Sequence, residues 1–456
     1  MDVIHGKMAN FLKSFFPPFL HSNPNIFVVV SIVFTLLLIE NVDAYVADFL
    51  VEFNTSLMGI ILFTIITGGY LVGQFFLLKF IRSNSRAIKS RSRLIANLEN
   101  VVAIVQYILA ANVIVLIIQV IVLANYSTMS LIFVTYVSNF FTAFLLTVFA
   151  FRFITWYRNQ THSLGVLLFA LAFLILAFSQ VIAGLGDSYL LSQKEGLIYP
   201  TSEVKFYDFP EGSFFNRFYD FYYLVNYASF FLTLIASALL LYHYSKKTNK
   251  PKIILIMFLP LLAYTSSILD TLNIYDTDTS PDLFSYYIFQ SLSFIAGGIL
   301  FAITFWFVAR KLSDSPVKTF LKITAYGFIL LYVSNSVDVS IAPYPPFGIN
   351  SLSLLPLATY FVLFGLYASG LSLSQDITLR QHLRSMARND ENLLSSIGTA
   401  QMETEVKRAV GELKDVGDEH EKELAEQSGI ETPIAENEVQ DYLKQVIEEV
   451  SRTRKK

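Results

Sequence analysis

The sequence predicts an all-α protein: a polytopic transmembrane helical bundle of about ten spans with a cytoplasmic helical tail. The 456 residues are 54% hydrophobic and only 15% charged, a composition outside the usual range for soluble globular domains. Apolar runs of about 20 residues, the length that crosses about 30 Å of hydrocarbon, recur along the chain. From Gln375 onward the chain becomes polar and charged instead.

Ten segments are long and apolar enough to span a membrane. They lie at about 25–42, 57–81, 100–124, 128–151, 163–185, 221–244, 253–272, 283–309, 323–341 and 352–374. The first has the shortest apolar run, so whether it crosses the membrane completely stays open. Residues 1–374 therefore form the predicted transmembrane domain, and residues 375–456 form the predicted tail.

The distribution of charge in the loops predicts the orientation. Lys and Arg concentrate on one side, as in 82–93 and 246–252, whereas the loops of the other side contain only Lys194, Lys205 and Arg217. Cytoplasmic loops carry the excess of positive charge. We therefore expect a multi-pass protein of the cell membrane with both termini in the cytoplasm.

The sequence lacks the residues and motifs that several kinds of functional site require. Cys is absent and the six His are scattered, so the sequence predicts no metal centre. No Walker A loop, Rossmann glycine pattern or HExxH helix is present, and no cofactor is predicted. The basic segment 82–93 borders a span, so it indicates topology and contact with anionic headgroups rather than nucleic acid. Membrane lipids are the expected partners.

Two of the predicted spans repeat a pattern of polar residues close to their outer ends. The pattern comprises Tyr264, Ser266 and Asp270 in one span and Tyr332, Ser334 and Asp338 in the other. In a helix the Ser and Asp lie four residues apart on one face. Carboxylates at this depth usually face the bundle interior or a water-filled cavity, and the alternative is an ordinary half-wet helix end. The functional interpretation is an outer vestibule for a cation or polar solute, to which Asn335, Gln290, Asp187 and Glu40 could contribute.

The middle of the membrane contains few polar residues. No ionisable side chain lies near the predicted midplane, which disfavours transport by a proton relay. Asn112 and Asn139 are the central polar groups, and we expect them to bond to each other across spans three and four. Gly69 and Gly73 form a GxxxG pattern, which favours close helix packing.

One short motif raises an enzymatic alternative. Gly184, Leu185, Gly186 and Asp187 resemble the GxGD motif of intramembrane aspartyl proteases such as presenilin and the prepilin-type peptidases. Those families need a second catalytic Asp on an earlier helix, and no upstream span supplies it. A protease is therefore a minor alternative, and no catalytic residue is assigned.

The tail carries an apolar stripe at helical spacing. Its members are Leu379, Leu383, Met386, Leu393, Ile397, Ala400, Met402, Val406, Ala409, Leu413 and Val416. Such a stripe is typical of a coiled coil. It predicts that 376–427, and a second helix at 438–452, bind a cytoplasmic protein or self-associate, with a linker near 427–437.

The segment LLSSIGTAQMETEVKR (393–408) resembles the membrane-proximal tail of uncharacterised archaeal polytopic membrane proteins. The resemblance implies a shared architecture and no particular activity. The sequence thus favours a receptor-like or scaffold protein that senses at the outer vestibule and recruits a partner through the tail. A solute or cation transporter or channel is the alternative.

Overall fold

A computed structural model describes residues 25–45, 47, 50–89, 92–158, 163–200, 213–244, 280–312, 315–336, 343–375, 394 and 396–405. Its long helices are α1 (Ile26–Tyr45), α3 (Leu57–Lys89), α4 (Arg93–Ile118), α5 (Thr128–Trp156), α6 (Leu164–Ser192), α7 (Phe214–Tyr244), α8 (Ser280–Lys311), α9 (Pro316–Ser334) and α10 (Ile349–Gln375). The shorter elements are α2 (Val51–Thr55), a π-helical turn (Gln119–Leu123), and the strands β1 (Tyr126–Ser127) and β2 (Leu197–Ile198). Residues 396–405 are also helical.

The structure confirms the helical character of the chain over the described residues. In the described ranges, eight helices are long and apolar enough to cross a membrane: α1, α3, α4 with its π turn, α5, α6, α7, α9 and α10. Each overlaps a predicted span, and α8 covers the segment predicted at 283–309. The span predicted at 253–272, residues 1–24 and the tail after 405 lie outside the described residues.

Helix α9 ends earlier than the sequence predicted. The predicted span extends to 341, whereas α9 ends at Ser334. The Val333 carbonyl, which could accept the next helical hydrogen bond, instead accepts from Asn41 Nδ2 at 2.7 Å and from Ser336 Oγ at 2.9 Å. The described part of this segment ends at Ser336, and Asp338 lies outside the described residues.

Helix α10 occupies the centre of the bundle. It packs against α1, α3, α4, α5 and α9, and its apolar window is 100% buried inside the structure. A helix that is apolar on all sides is stable only when neighbours surround it. Its 27 residues correspond to a length of about 40 Å.

Small residues bring α1 and α3 close together. A Cβ atom added at Gly69 would lie 3.0 Å from Leu36 Cδ1, and one added at Gly73 would overlap Val33. The GxxxG pattern of α3 therefore faces α1, and the glycines allow the approach of the two backbones.

Asn112 and Asn139 do not bond to each other as predicted. Asn112 Oδ1 and Asn139 Nδ2 are both buried without a hydrogen-bond partner. Helix α5 packs mainly on α6, and Asn139 Cβ lies 3.1 Å from the position of a Cβ at Gly184 of that helix. Because Asn139 faces α6, it is turned away from the neighbour that the prediction assigned to it.

A short ladder joins two connections at the end of the bundle that contains the C-terminus of α1. Strand β1 pairs with β2 in antiparallel register, with Tyr126 opposite Ile198 and Ser127 opposite Leu197. The Thr128 amide donates to the Gly196 carbonyl at 3.2 Å and extends the contact. The connections before α5 and after α6 are thereby fixed to each other.

Candidate functional site

A fully buried carboxylate lies near the C-terminus of α1. Glu40 has 0% exposed surface, and its Oε1 accepts hydrogen bonds from the backbone amides of Gly348 at 2.8 Å and Asn350 at 3.0 Å. Its Oε2 accepts from the Ser351 amide at 3.2 Å and from Ser351 Oγ at 3.4 Å. All four donors are neutral, and no described cation pairs with Glu40. We name Glu40, Asn41, Gly348, Asn350 and Ser351 the Glu40 cluster.

The cluster exists because α10 begins without a local cap. The first amides of a helix have no partner within the helix, and Gly348, which precedes α10, has no side chain to supply one. Gly348 has a φ of 99°, a left-handed conformation that favours glycine. Glu40, 308 residues away in sequence, fills the capping role. A carboxylate at this position also interacts favourably with the positive end of the helix dipole.

Asn41 connects the cluster to the end of α9. Its Nδ2 donates to the Val333 carbonyl and, at 2.8 Å, to Ser336 Oγ, while its Oδ1 accepts from Ser351 Oγ at 2.6 Å. Two neighbouring residues of α1 therefore hold the C-terminus of α9 and the N-terminus of α10 together. Each supplies the chemistry that its helix end needs, a donor for the carbonyls and an acceptor for the amides.

The polar contacts continue into the bundle. Asn350 Nδ2 donates to Thr67 Oγ1 at 3.0 Å, and Thr67 lies about 15 Å along α3 from its first residue. The N-terminus of α10 is therefore well inside the span of α3. We name the following residues the inner polar chain: Thr67, Tyr70, Gln74, Gln106 and Ser353.

Hydrogen bonds link Tyr70, Gln74, Gln106 and Ser353 of the inner polar chain. The Tyr70 and Ser353 hydroxyls are 2.6 Å apart, and Gln106 Nε2 donates to the Ser353 carbonyl at 2.7 Å. Gln74 Nε2 donates to the Gln106 carbonyl at 3.1 Å. The chain thus joins α3, α4 and α10 around the first turns of α10.

Several buried oxygens in this region have no partner. They are the amide oxygens of Asn350, Gln74, Gln106 and, further along α4, Asn112. Each unpaired atom is an acceptor, whereas the nitrogens of Asn350, Gln74 and Gln106 all donate. A buried polar atom without a partner is costly. Acceptor oxygens beside a carboxylate have the chemistry to bind a cation or a hydrogen-bond donor.

The chain matches no family model, no curated protein and no solved structure.

The predicted vestibule residues are only partly within the described ranges. Ser266, Asp270 and Asp338 lie outside them, and Gln290 lies on α8 among residues whose side chains are not described. Ser334 is buried at the end of α9 with its Oγ unpaired.

Asn335 and Asp187 are associated with helix α6. Asn335 Oδ1 accepts from Gln180 Nε2 of α6 at 2.6 Å. Asp187 is half-buried further along the same helix, so the GLGD motif lies near its C-terminal end. Asn335 is the first residue after α9. It lies next to the Val333 carbonyl, to which Asn41 donates.

Sequence reasoning noted Glu40 only as a carboxylate at the end of a span. It missed Asn41, Asn350 and Ser351 and the inner polar chain. The available signal was Gly348 after the proline-rich turn 343–346, which marks a helix start that lacks a side-chain cap.

A second carboxylate lies near the cluster in sequence. Asp43, 6% exposed, accepts a hydrogen bond from Asn54 Nδ2 at 2.9 Å, and Asn54 belongs to the short helix α2. The contact closes the connection between α1 and α3. In the described part of the chain no group of three or more His, Cys, Asp or Glu could hold a metal ion.

The opposite end of α10 contacts a segment of the tail. Leu394, Ile397, Ala400 and Gln401 are buried, and the first compact unit of the chain extends to Gln401. A Cβ at Gly370 would lie 2.6 Å from Ile397 Cγ2. The part of the apolar stripe at 394–401 is therefore covered by this chain's own bundle.

Polar contacts also hold this tail segment. Gln401 Oε1 accepts from Arg152 Nη2 at 2.7 Å and from Trp156 Nε1 at 3.1 Å. The Trp156 ring stacks on Tyr367 with centroids 6.0 Å apart and planes 14° from parallel. Residues from α5 and α10 thus form the surface on which 394–401 lies.

Proposed function

We propose that the protein is a receptor-like integral membrane protein in which the Glu40 cluster and the inner polar chain bind a small cation or a polar solute. In this proposal α10 conveys the bound state to the tail segment 394–401. One observation carries it: the same buried helix provides Asn350 and Ser351 to the cluster at one end and contacts Ile397 through Gly370 at the other.

The packing of α10 supports its role as the connecting element. It is one helix of 27 residues, enclosed by five others. Close-packed interiors are not continuously deformable, so a change at one end moves such a helix between discrete positions. A shift of α10 along its axis would alter the distance between Gly370 and Ile397.

The pattern of unpaired atoms favours a ligand that is a cation or carries donors. Glu40 supplies negative charge, and the oxygens of Asn350, Gln74 and Gln106 supply unused acceptors. An anion would meet the Glu40 carboxylate and these oxygens, and would be repelled. The cluster is closed in this structure because Glu40 is completely buried, so binding requires an opening motion of α9 or α10 relative to α1.

Hydrogen–deuterium exchange of the full chain in lipid nanodiscs tests the proposal. The probes are Li⁺, Na⁺ and K⁺, compared with N-methylglucamine at equal ionic strength, and a panel of neutral polar solutes. We expect one probe to change exchange both at 348–353 and at 394–401. Glu40→Gln should abolish the response, whereas Glu52→Gln, which removes an exposed carboxylate on the nearby α2, should preserve it.

Two outcomes would count against the receptor proposal. If no probe alters exchange at 348–353, the region is a structural cap rather than a binding site. If a probe alters 348–353 and leaves 394–401 unchanged, the site binds but α10 does not report to the tail.

Transport is the second candidate function, and the depth of the inner polar chain favours it. Polar groups at the N-terminus of a helix that begins inside the bundle are the kind of arrangement with which transporters bind substrates and coupling ions. Flux of the same probes into proteoliposomes tests this function. Flux that Glu40→Gln abolishes would favour transport, and binding without flux would favour the receptor.

A further inference from the structure

A mostly apolar groove opens between α4, α5 and α10. Its volume is about 190 Å³, and it is lined by Leu94, Val148, Phe149, Phe151, Arg152, Thr155, Leu363 and Tyr367. Leu94 is 40% exposed and Phe151 61% exposed, so the groove opens on the outer surface of the bundle. In a transmembrane bundle, such a surface contacts lipid.

Arg152 places a positive charge in this groove. Its guanidinium lies 5.3 Å from the Tyr367 ring centroid and 5.8 Å from that of Trp156. It donates to the neutral Gln401 amide, and its Nε is buried without a partner. No described carboxylate pairs with Arg152. A partly desolvated cation that retains an unsatisfied donor has the chemistry to bind an anionic oxygen.

The position of Arg152 along α5 corresponds to the headgroup region. It lies one turn before the helix ends at Trp156, and α5 has 29 residues, a length of about 43 Å that exceeds the hydrocarbon thickness of about 30 Å. The sequence predicts this end to be cytoplasmic, the side on which anionic lipids attract basic residues.

We propose that the groove is a binding site for an anionic phospholipid. The phosphate contacts the Arg152 guanidinium, and one acyl chain lies along Val148, Phe149 and Leu363. The site is independent of the Glu40 cluster, at the opposite end of α10.

The lining of the groove favours an acyl chain, because most of its side chains are apolar and it opens on the surface that contacts lipid in a transmembrane bundle. A zwitterionic lipid would fill the apolar part equally well. The charge of Arg152 is therefore what selects the anionic headgroup.

Lipid titration of the delipidated full chain in detergent, followed by native mass spectrometry, tests the proposal. The probes are phosphatidylglycerol and phosphatidylcholine with identical acyl chains. We expect phosphatidylglycerol to bind more tightly and Arg152→Gln to lower its affinity about fivefold, the effect expected for one basic residue near a membrane surface. Arg158→Gln removes an exposed charge two turns further along, outside the groove, and should leave the affinity unchanged.

A second variant fills the groove and leaves the charge in place. Val148→Phe should weaken phosphatidylglycerol binding, because the added ring occupies the acyl-chain site, and it keeps the test valid if Arg152→Gln fails to fold. Equal affinities for the two lipids would overturn the proposal. Equal losses in Arg152→Gln and Arg158→Gln would also overturn it, since they would indicate general surface attraction, as would normal binding to Val148→Phe.

Discussion

The side chains of Tyr126 and Tyr344 stack on each other, and each donates a hydrogen bond to a backbone carbonyl in the segment that precedes the other residue. Their rings stack with centroids 6.2 Å apart and planes 16° from parallel. The Tyr126 hydroxyl donates to the carbonyl of Pro343 at 2.9 Å, next to Tyr344, and the Tyr344 hydroxyl donates to the carbonyl of Val120 at 3.1 Å, in the π-helical turn. The connection into α10 is thus fixed to the end of α4, and the start of α10 is positioned for Glu40.

We expect Tyr126→Phe and Tyr344→Phe each to lower the free energy of unfolding. Each variant retains the stacked ring and leaves one buried carbonyl without its donor, which costs about 1–3 kcal/mol. Thermal unfolding in detergent at neutral pH measures the loss. Tyr136 on α5 has an exposed side chain, so Tyr136→Phe should not change the free energy of unfolding. An equal loss in all three variants would contradict the role assigned to Tyr126 and Tyr344.

Alkaline pH should destabilise this contact in a predictable direction. Burial raises the pKa of the Tyr126 hydroxyl well above its usual value, with a smaller contribution from Tyr344, and burial likewise raises the pKa of Tyr344. The stabilisation is complete below the unfolded-state pKa of about 10 and falls as the pH rises above it, because the unfolded tyrosines ionise first. The free energy of unfolding of the wild type should therefore fall more steeply above about pH 10 than that of the double Phe variant. Parallel pH profiles would exclude this linkage.

Removing the Glu40 carboxylate should be among the most damaging single changes. Glu40→Ala leaves three backbone amides without their acceptor, and we expect a loss of at least about 3 kcal/mol. Glu40→Gln retains one acceptor oxygen and should lose less. Chemical unfolding of both variants beside Glu52→Ala measures the difference; a Glu40→Ala protein as stable as Glu52→Ala would show that α10 needs no cap.

The effect of alanine substitutions along α3 on stability should depend on the space available for the added Cβ atom. A Cβ at Gly68 meets nothing within 4 Å, one at Gly69 meets the flexible end of Leu36, and one at Gly73 overlaps Val33. We expect Gly68→Ala to be neutral or stabilising, Gly69→Ala to be intermediate, and Gly73→Ala to cost about 1–3 kcal/mol.

The overlap at Gly73 can be tested by a compensating change. Val33→Ala removes the methyl groups that a Cβ at Gly73 would meet, so Gly73→Ala should cost less in that background. Strictly additive effects of the two changes on unfolding would show that α1 and α3 are not in contact at this point.

Attachment of the tail segment should depend on Gly398. A Cβ there would lie 2.8 Å from Leu373 Cβ, so Gly398→Val should separate 394–401 from the bundle and increase its cleavage by thermolysin, which cuts before apolar residues such as Ile397. Gly68→Ala serves as the control for glycine substitution elsewhere. Unchanged cleavage of Gly398→Val would indicate that Leu373 and the segment adapt to the larger side chain.

The sequence predicts the helices of this protein well because a membrane leaves the backbone few choices. In hydrocarbon every amide and carbonyl needs an internal partner, so the long apolar runs within the described residues, such as 128–151 and 352–374, form helices. The predicted end of α9 was wrong because the Asn41 side chain of α1 donates to the Val333 carbonyl. Such a long-range contact leaves no signal in the local sequence.

The candidate site was predicted less well for the same reason. Glu40 could be identified as a carboxylate near a span end, but its partners are backbone amides more than 300 residues away. The tail stripe correctly marked Ile397 and Ala400 as residues that need cover. Periodicity carries no information on what covers them, and here it is the surface that includes Gly370 and Trp156.

The contact between Glu40 and α10 can form only late in the synthesis of the protein. Helix α1 is synthesised before the other described helices, and the Asn350 amide follows Glu40 by 310 residues. At roughly 5–20 residues per second, this interval lasts about 15–60 s. During that period the carboxylate has none of its amide partners and the site of α10 is unfilled. A chain that stalls before Gly348 therefore contains a carboxylate without its hydrogen-bond donors, which the finished protein does not. The central helix α10 is synthesised late and completes the bundle.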